Sequence, residues 1–387
     1  MTATLTQPSL TSLPRLPQRI CTRCIMDTTD PGITFDASGV CNHCRRYDEL
    51  VATRVFTHRT EALQKLVGAI KSDGRGKRYD CVIGVSGGVD STYVAYLVKQ
   101  LGLRPLAVHL DNGWDHELAV ANIEKVLKRL GIDLYTHVID WLEFRDLQLS
   151  FLKASTPDGE IPTDHAIFAL LYQVAAREGV RWILPGTNVA TEGILPQAWS
   201  YGYFDWKYVA GIQQRFGTRR LSTYPHMGLA RLGYYAGVRR IRMVSLLNYV
   251  EYDKRNVMAI LQRDLGWTSY GDKHHESIYT RFFQAYILPH KFNIDKRKAH
   301  FSSLICSGQM VRQRALESMQ QAPYPAEQAA ADREYAIKKF GITEAEFERI
   351  MALPLRTYRD YPNTAELMDR VKRLHSLRSW AMGRSIR

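Results

Sequence analysis

The sequence predicts an α/β fold, in which a doubly wound parallel sheet follows a small cysteine-rich module and precedes a helical region. Apolar runs of strand length alternate with helical patterns between residues 76 and 250, which requires parallel strands joined by crossover helices. A turn with two adjacent glycines joins the first strand to its helix, and two CxxC pairs lie in residues 20–50. We expect no strand after about Val244, so residues 251–387 should be helical.

The composition is that of a globular protein with anionic partners. The chain has 387 residues, of which 45% are hydrophobic, and this length suggests two or three domains. The net charge of +13 favours nucleic acid or small phosphorylated or carboxylated substrates, and charge alone does not choose between them. The N-terminus has no continuous apolar core and no run of about 18 apolar residues occurs, so we expect a cytoplasmic location.

Two segments lead up to the sheet. Residues 1–19 are rich in Thr, Ser, Pro and Leu and are expected to be a disordered lead-in. Residues 51–75 should connect the cysteine-rich module to the sheet, because apolar residues recur at helical spacing from about Arg59 to Lys71. The following glycine-containing segment ends that helix.

The sheet domain and the C-terminal region differ in their predicted elements. Four strands are predicted in the sheet domain, at 80–85, 105–110, 133–139 and 180–184, with helices at 91–101, 117–130 and 164–178. Helices should follow at 256–265, 277–287, 309–320, 326–340, 343–353 and 363–382. The last of these is basic and most simply has a solvated face, with a docking role as the alternative.

The two CxxC pairs predict a metal site. Cys21 and Cys24 are separated from Cys41 and Cys44 by 16 residues, the spacing of a four-thiolate zinc ribbon or knuckle. Residues 36–39 supply a hairpin-like turn between the pairs. Four thiolates leave no open coordination position, so the zinc should be structural, with an iron-sulfur cluster as the alternative. His43 is then a neighbour of the site, because the ligand count is complete.

The segment Ser86-Gly87-Gly88-Val89-Asp90-Ser91 predicts a phosphate site. It directly follows the apolar strand that ends at Val85 and precedes a helix, where unpaired backbone N–H groups and the helix dipole favour an anion. The glycines allow close approach of a ligand to the backbone, the serines offer hydroxyl donors, and Asp90 can hold Mg²⁺. The segment contains neither a Walker lysine nor a GxGxxG motif. A glycine turn that merely joins strand to helix is the alternative.

Polar residues also follow two other strands at the carboxyl edge, where open α/β sheets bind ligands. Asp111 ends the second strand and is a candidate for contact with nucleotide or substrate, although Asp111-Asn112-Gly113 is also ordinary turn chemistry. The fourth strand is followed by Gly186, Thr187 and, six residues after the glycine, Glu192. A helix N-cap at Thr191 without a ligand is the alternative for that segment.

A last group of titratable residues lies near the start of the C-terminal region. Lys273, His274, His275, Glu276 and Ser277 are followed at a distance by residues 295–300 and by Ser302 and Ser303. These residues are expected to precede helices, and such a density is hard to explain in a core. They could neutralise phosphates, orient an acidic substrate or move a proton, whereas a solvated charged loop is the alternative.

The segment SGGVDS resembles the loop of the PP-loop ATP pyrophosphatase superfamily, and GTNVATE resembles the second ATP-binding motif of its amide-forming members. This resemblance implies an adenine nucleotide hydrolase-like domain in which residues 85–91, Asp111, Gly186, Thr187 and Glu192 bind ATP. It also implies that Asp90 and Glu192 hold Mg²⁺. Asn188 is shifted by one place from the commoner pattern and carries no assigned role.

The order of all these motifs, followed by GDKHHESIYTRFFQAYILPHKF and DKRKAHFSSLICSGQM, resembles the WbpG/PseA-like N-acetyl sugar amidotransferases of bacterial surface-polysaccharide and nonulosonic-acid biosynthesis. The resemblance covers about residues 19–325. It implies that ATP adenylates the acetamido oxygen of a nucleotide-linked sugar and that ammonia then displaces AMP, which leaves an acetamidino group. Asp90, Lys273, His274, His275 and Glu276 are the implied catalytic residues.

The source of ammonia is expected to be another protein. Met1 is not followed by cysteine, Cys81 lies in a strand, and Cys306 has no nucleophile elbow around it. The resemblance therefore implies separate partners similar to the glutaminase and cyclase subunits of imidazole glycerol phosphate synthase. The rival hypothesis is a transfer-RNA thiolation enzyme, since such enzymes also join PP-loops to cysteine-rich zinc modules. Sulfur relay needs reactive cysteines near the nucleotide, and Cys81 and Cys306 are not a CxxC pair.

Overall fold

A parallel five-stranded sheet forms the centre of the computed structural model, which describes residues 19–55, 59–269 and 276–370. The strand order is β3-β2-β1-β4-β5, and every neighbouring pair is parallel. The strands are β1 (Cys81–Gly84), β2 (Pro105–Asp111), β3 (Asp133–Val138), β4 (Trp182–Leu184) and β5 (Arg242–Met243). The predicted doubly wound sheet is confirmed, since the chain adds strands outward on both sides of β1.

Several elements of the sheet domain were not predicted, among them one strand and several helices. The strand β5 has only two residues and pairs with Trp182 and Ile183, so it is too short to show an alternating pattern. A helix over Trp141–Ala154 precedes the predicted helix between β3 and β4. Its N-cap Asp140, which accepts a hydrogen bond from the Glu143 backbone N–H, was the available sequence signal.

The cysteine-rich module is built from a hairpin and a helix. Phe35 and Cys41 form an antiparallel bridge around a turn in which Asp36 accepts hydrogen bonds from the backbone N–H groups of Ser38 and Val40. Gly39 closes the turn with a φ of +82°. The helix α1 (Asn42–Arg54) follows at once, and α2 (Arg59–Asp73) is the predicted connector.

The remaining helices wrap the sheet and build the C-terminal region. Those of the sheet domain are α3 (Val89–Gln100), α4 (Glu117–Leu130), α5 (Trp141–Ala154), α6 (Ile161–Arg177), α7 (Val189–Glu192), α8 (Trp206–Phe216), α9 (Leu229–Gly233) and α10 (Lys254–Leu265). The C-terminal helices are α11 (Ile278–Phe282), α12 (Leu288–Phe292), α13 (Arg297–Cys306), α14 (Arg312–Met319), α15 (Ala326–Phe340) and α16 (Glu344–Ala352). π-helical turns cover Tyr234–Val238 and Phe283–Ile287, 3-10 turns cover Leu246–Tyr249 and Tyr358–Asp360, and residues 365–370 are helical.

The core lies on both faces of the sheet. Alternate residues of β1 point to opposite sides: Val82 joins the cluster that includes α5, α6 and the C-terminal helices, whereas Cys81 and Ile83 join the cluster with α3, α4 and α10. Both faces are therefore covered, as a parallel sheet requires. Within the part of the chain that the structure describes, no helix combines the length and apolarity needed to span a bilayer.

A buried ion pair joins two helices of the C-terminal region. Arg281 in α11 donates two hydrogen bonds to Asp332 in α15, at 2.7 and 2.8 Å, and both side chains are almost fully buried. Gln328 donates a further hydrogen bond to the same carboxylate. Because both charges have lost their water, each depends on the other for compensation.

We predict that Arg281→Leu destabilises the protein by about 3–5 kcal/mol, since it leaves the Asp332 carboxylate buried without its guanidinium. The melting temperature followed by circular dichroism measures the effect. The double variant Arg281→Leu with Asp332→Leu should recover much of the loss. Lys65→Leu is the control, because it breaks an exposed pair with Glu61 and should change the free energy of unfolding by less than about 1 kcal/mol. Equal effects of the single buried and exposed substitutions would contradict this prediction.

Candidate nucleotide and metal sites

The loop between β1 and α3 has the shape that its sequence predicts. Gly87 has a φ of +77°, and a Cβ atom there would lie 2.4 Å from the carbonyl oxygen of Ala119 in α4. Glycine is therefore required at this position by both conformation and space. Gly88 is the N-cap of α3 in an extended conformation, so the following backbone N–H groups are at the start of a 12-residue helix.

Serine hydroxyl groups form hydrogen bonds within this loop and stabilise its conformation. The hydroxyl of Ser91 accepts a hydrogen bond from the backbone N–H of Ser86 and donates to the carbonyl of Gly88, each at 3.2 Å. Ser86 Oγ accepts from the backbone N–H of Gly88 at 3.3 Å. Both predicted phosphate donors thus have a structural role in the loop as well as any role toward a ligand.

Two aromatic residues that sequence reasoning missed lie against the loop. The Tyr252 hydroxyl donates a hydrogen bond to Asp90, and Trp267 Nε1 donates to the carbonyl of Gly87 at 2.9 Å. Burial raises the pKa of Tyr252 well above its usual range, and the negative charges of Asp90 and Glu192 add to this shift. The tyrosine therefore stays neutral and donates its hydrogen bond to Asp90, one of the two carboxylates that were predicted to hold Mg²⁺.

The loop after β4 packs directly on the first loop. A Cβ atom at Gly186 would lie 2.8 Å from the backbone nitrogen of Ser91, so glycine permits the close approach. Thr187 Oγ1 is 2.8 Å from the hydroxyl of Ser245. Asn188 is the N-cap of α7 and accepts a hydrogen bond from the Thr191 backbone N–H at 2.8 Å. The cap is therefore about one helical turn before Thr191, the residue that the alternative interpretation named. The two predicted loops form one continuous edge.

The end of β2 combines turn geometry with a cleft. Asp111 accepts a hydrogen bond from the backbone N–H of Gly113 at 2.9 Å, which is the turn chemistry considered as the alternative. Asp111, Asn112 and Gly113 also line a cleft of about 280 Å³, together with Trp141 and Lys339. The contact of Asp111 with a nucleotide or substrate stays a prediction.

The C-terminal region reaches the same edge through α13, which corrects one expectation. Residues 297–303 were expected to precede a helix, but they lie inside α13, because their polar side chains are paired with other elements. The Ser303 hydroxyl accepts from the backbone N–H of Ile194 at 3.0 Å, and His300 Nδ1 lies 3.3 Å from the carbonyl oxygen of Thr191. Both contacts hold the segment that follows the second loop.

An ion pair at the start of α6 is a further candidate that the sequence analysis missed. Glu160 accepts hydrogen bonds from Lys296 at 2.7 Å and from Gln284 at 2.9 Å, and its side chain is mostly buried. Gln284 lies in a π-helical turn, a deviation that is frequent at functional sites. The helix α6 leads into β4, so its N-terminus lies at the carboxyl edge of the sheet.

Most of the predicted catalytic cluster cannot be placed. Lys273, His274 and His275 lie outside the described residues. The carbonyl oxygen of Glu276 accepts a hydrogen bond from the backbone N–H of His116 at 2.8 Å, and Ser277 pairs with Asp115. The end of this segment is therefore attached where α4 begins, beside the first loop.

The four predicted zinc ligands come together. The sulfur atoms of Cys21, Cys24, Cys41 and Cys44 lie within 4.8 Å of one another, and all four residues are fully buried. The Cys21–Cys44 and Cys24–Cys41 sulfur distances are 3.9 and 3.7 Å. Zinc–sulfur bonds of about 2.3 Å in a tetrahedron place the sulfurs about 3.8 Å apart, so the donor set fits a single zinc ion. His43 is paired with Asp30 at 2.6 Å, in agreement with its prediction as a neighbour.

The C-terminal region also covers the cysteine module. Arg312 donates hydrogen bonds to the carbonyl groups of Cys21 and Cys24, each at 2.9 Å. Ser302 accepts from the backbone N–H of Ile25 at 3.2 Å, and Lys298 forms an ion pair with Asp27 at 2.7 Å. The cysteine-rich module and the edge of the sheet that carries the two loops thus share one partner, α13.

The fold is of the α/β class, and two loops whose sequences resemble PP-loop motifs pack on one another at its edge. Residues 276–375 match the family model described as "LPS biosynthesis protein WbpG-like, C-terminal domain". The C-terminal region of this chain is therefore similar to the WbpG-like C-terminal domain, which confirms the resemblance for that part of the sequence.

Other similarities are more limited. A GMP synthase [glutamine-hydrolyzing] from Pyrobaculum aerophilum is 40% identical over 75 residues, which is 19% of this chain and 14% of that protein. The NMN synthetase from Francisella tularensis is 15% identical with a TM-score of 0.31, covering 77% of this chain and 98% of its own. The NH3-dependent NAD synthetase from Campylobacter jejuni is 13% identical with a TM-score of 0.29, covering 74% and 97%. We draw no conclusion about activity from these similarities.

We predict that Gly87→Ala abolishes nucleotide binding, because the added methyl group would collide with the Ala119 carbonyl and displace the loop. Binding is measured by isothermal titration with ATP and Mg²⁺. Gly76→Ala is the matched control: Gly76 has a φ of +75° but open space around it, so both variants have the same backbone strain of about 1 kcal/mol and only one has the collision. Equal ATP affinities of the two variants would contradict a nucleotide role for the loop.

Proposed function

We propose that this protein is an ATP-dependent amidotransferase that converts the acetamido group of a nucleotide-linked or related sugar to an acetamidino group, in surface-polysaccharide or nonulosonic acid biosynthesis. The observation that carries the proposal is the contact of α13, which lies in the region that matches the WbpG-like model, with the segment around Thr191 and Ile194. The second loop, which leads into this segment, packs on the first loop at Gly186. This contact supports a single site, in which an edge with PP-loop-like sequences would bind the nucleotide beside a domain similar to one from polysaccharide biosynthesis.

The chemistry requires activation of an amide oxygen, which is a poor leaving group. In the first step the oxygen attacks the α-phosphorus of ATP, the bond to the β-phosphate oxygen breaks, and pyrophosphate leaves. In the second step ammonia adds to the imidate carbon, and AMP departs with the former amide oxygen. The amidine forms after loss of one proton from the added nitrogen. Both steps develop negative charge on phosphate, which backbone N–H groups at a helix start can stabilise.

The residues of the site suit these steps. The N-terminus of α3 at Gly88 faces the loop where pyrophosphate would bind. Asp90 and Glu192 would hold Mg²⁺, with Tyr252 fixing the orientation of the Asp90 carboxylate. Bound Mg²⁺ would neutralise phosphate charge. Lys273, His274, His275 and Glu276 remain the proposed residues for proton transfer and substrate orientation.

We propose that ammonia is delivered by glutaminase and cyclase-like partners. Of the two cysteines outside the metal cluster, Cys81 is fully buried in β1, where burial raises the pKa of its thiol. Cys306 lies against the metal cluster. Neither position suits a glutaminase nucleophile, which must be accessible and activated by a base.

The proposed zinc at Cys21, Cys24, Cys41 and Cys44 has a structural role, because four thiolates close its coordination sphere. We predict that Cys24→Ser lowers zinc content from about one ion per chain to well below half and makes the protein less soluble, since metal binding at such a site contributes directly to folding. Zinc is measured by mass spectrometry of the digested protein. Cys81→Ala removes a buried thiol outside the cluster and should keep its zinc. Full metal content in Cys24→Ser would refute the ligand assignment.

The reaction itself is tested by incubating the protein with ATP, Mg²⁺, ammonium and candidate nucleotide-linked N-acetyl sugars. We expect sugar-dependent release of AMP and a product about one mass unit lighter that carries a new basic group, protonated at neutral pH as guanidinium groups are. Asp90→Asn should reduce AMP release by about 100-fold or more, because the carboxylate that holds the metal is lost. Glu61→Gln changes an exposed carboxylate on α2 and should leave the rate unchanged.

Two outcomes would contradict the proposal. The first is AMP release that does not depend on any N-acetyl sugar in the set. The second is sulfur incorporation into transfer RNA, which would support the thiolation hypothesis instead.

A further inference from the structure

A fifth cysteine touches the proposed zinc site. The sulfur of Cys306, at the end of α13, lies 3.7 Å from the sulfur of Cys44, as close as the ligands lie to one another. The four ligand residues have no exposed surface, whereas Cys306 is partly exposed. A small reactant arriving from solvent therefore meets Cys306 before it meets the ligands.

Hydrogen bonds from residues before and after Cys306 in the chain fix its contact with Cys44. Ser302, one turn earlier in α13, accepts the hydrogen bond from the backbone N–H of Ile25. After α13, Arg312 donates to the carbonyl groups of Cys21 and Cys24. The helix end that carries Cys306 is thereby fixed to the module that carries Cys44.

We propose that Cys306 is an oxidation site of the zinc module, and that its disulfide with Cys44 releases the metal. A hydroperoxide, ROOH, oxidises the Cys306 thiol to a sulfenic acid and is itself reduced to ROH. The Cys44 thiolate then attacks the sulfenic sulfur, the disulfide forms, and hydroxide leaves. Cys44 would then no longer be available as a thiolate to hold zinc. In total, two sulfurs lose two electrons and the hydroperoxide gains them.

The sulfur distance permits this pair, and the difference in exposure favours it over the pairs within the tetrahedron. Sulfurs at 3.7 Å need to approach by less than about 2 Å to reach a disulfide bond. Oxidation between two ligands would have to begin at a residue without exposed surface. With Cys44 oxidised, only Cys21, Cys24 and Cys41 remain, and the site loses its closed coordination.

The oxidation would also reach the nucleotide edge. Ser303 and His300 on α13 contact the segment after the second loop, while Ser302 on the same helix contacts the metal module. Loss of the metal would therefore weaken the packing of the cysteine-rich module against α13. The proposal rests on the proposed zinc site and is independent of the amidotransferase reaction.

The test uses the full zinc-loaded chain treated with a small excess of hydrogen peroxide. Released zinc is followed with a chromogenic chelator, and the disulfide is located by peptide mass spectrometry without reduction. Wild-type protein should release zinc and yield a Cys44–Cys306 peptide. Cys306→Ser should contain as much zinc before treatment and release it at least about tenfold more slowly, because oxidation must then begin at a buried ligand.

Cys81→Ala serves as the matched control and should release zinc as the wild type does. Equal release rates for Cys306→Ser and wild type would overturn the proposal, as would a disulfide confined to the pairs of the tetrahedron. Protein that binds no zinc would refute the metal assignment, and the mapped disulfide would still decide whether Cys306 pairs with Cys44. Neither result depends on whether the sugar reaction occurs.

Discussion

The packing of α13 against two other parts of the chain is the constraint on which the site depends. The adjacent residues Ser302 and Ser303 are both fully buried, and each accepts a hydrogen bond from a different backbone N–H group. One N–H belongs to Ile25 in the metal module and the other to Ile194 beyond the second loop. A buried N–H without an acceptor costs about 1–3 kcal/mol, so two consecutive hydroxyls stabilise both neighbours at once. The helix thereby fixes the cysteine-rich module relative to the edge of the sheet that carries the two loops.

Close backbone approaches complete the site. Gly87 lies against α4, Gly186 against the start of α3, and a Cβ atom at Gly159 would lie 2.3 Å from the ring of Phe283. The first two contacts place the β1 and β4 loops on neighbouring elements, and the third seats the C-terminal region beside the start of α6. At these points the packing leaves no room for a side chain.

The sequence was sufficient where the signal is local. The SGGVDS loop, the first four strands and the four clustered cysteines could be predicted because each depends on residues close in the chain or on a spacing with a known geometry. The WbpG-like C-terminal domain was predicted from a resemblance and not from physical reasoning on single residues. The strand β5 was missed because a strand of two residues is too short to show an alternating pattern of apolar and polar side chains.

Long-range partners could not be predicted. Tyr252 is 162 positions from Asp90, and Cys306 is 262 positions from Cys44, so no local pattern brings either pair together. The charges around α13 were misleading for the same reason. The density of charges that includes Lys296 and Lys298 predicted a segment before a helix, with a solvated loop as the alternative. Their partners Glu160 and Asp27 come from distant segments, and the paired cations are compatible with a packed helix.

This pairing also indicates where the excess positive charge acts. Near the site, cations such as Lys296, Lys298 and Arg281 are neutralised by carboxylates. Residues 206–250, in contrast, contain no Asp or Glu, and their exposed arginines are Arg215, Arg219, Arg220, Arg231, Arg239, Arg240 and Arg242. The electrostatic field of this segment attracts anions over a Debye length of about 10 Å at moderate salt. It therefore raises the rate at which anions associate with the protein. At the edge of the sheet, the proposed nucleotide would then be held by short-range contacts with backbone N–H groups and by Mg²⁺ on the carboxylates.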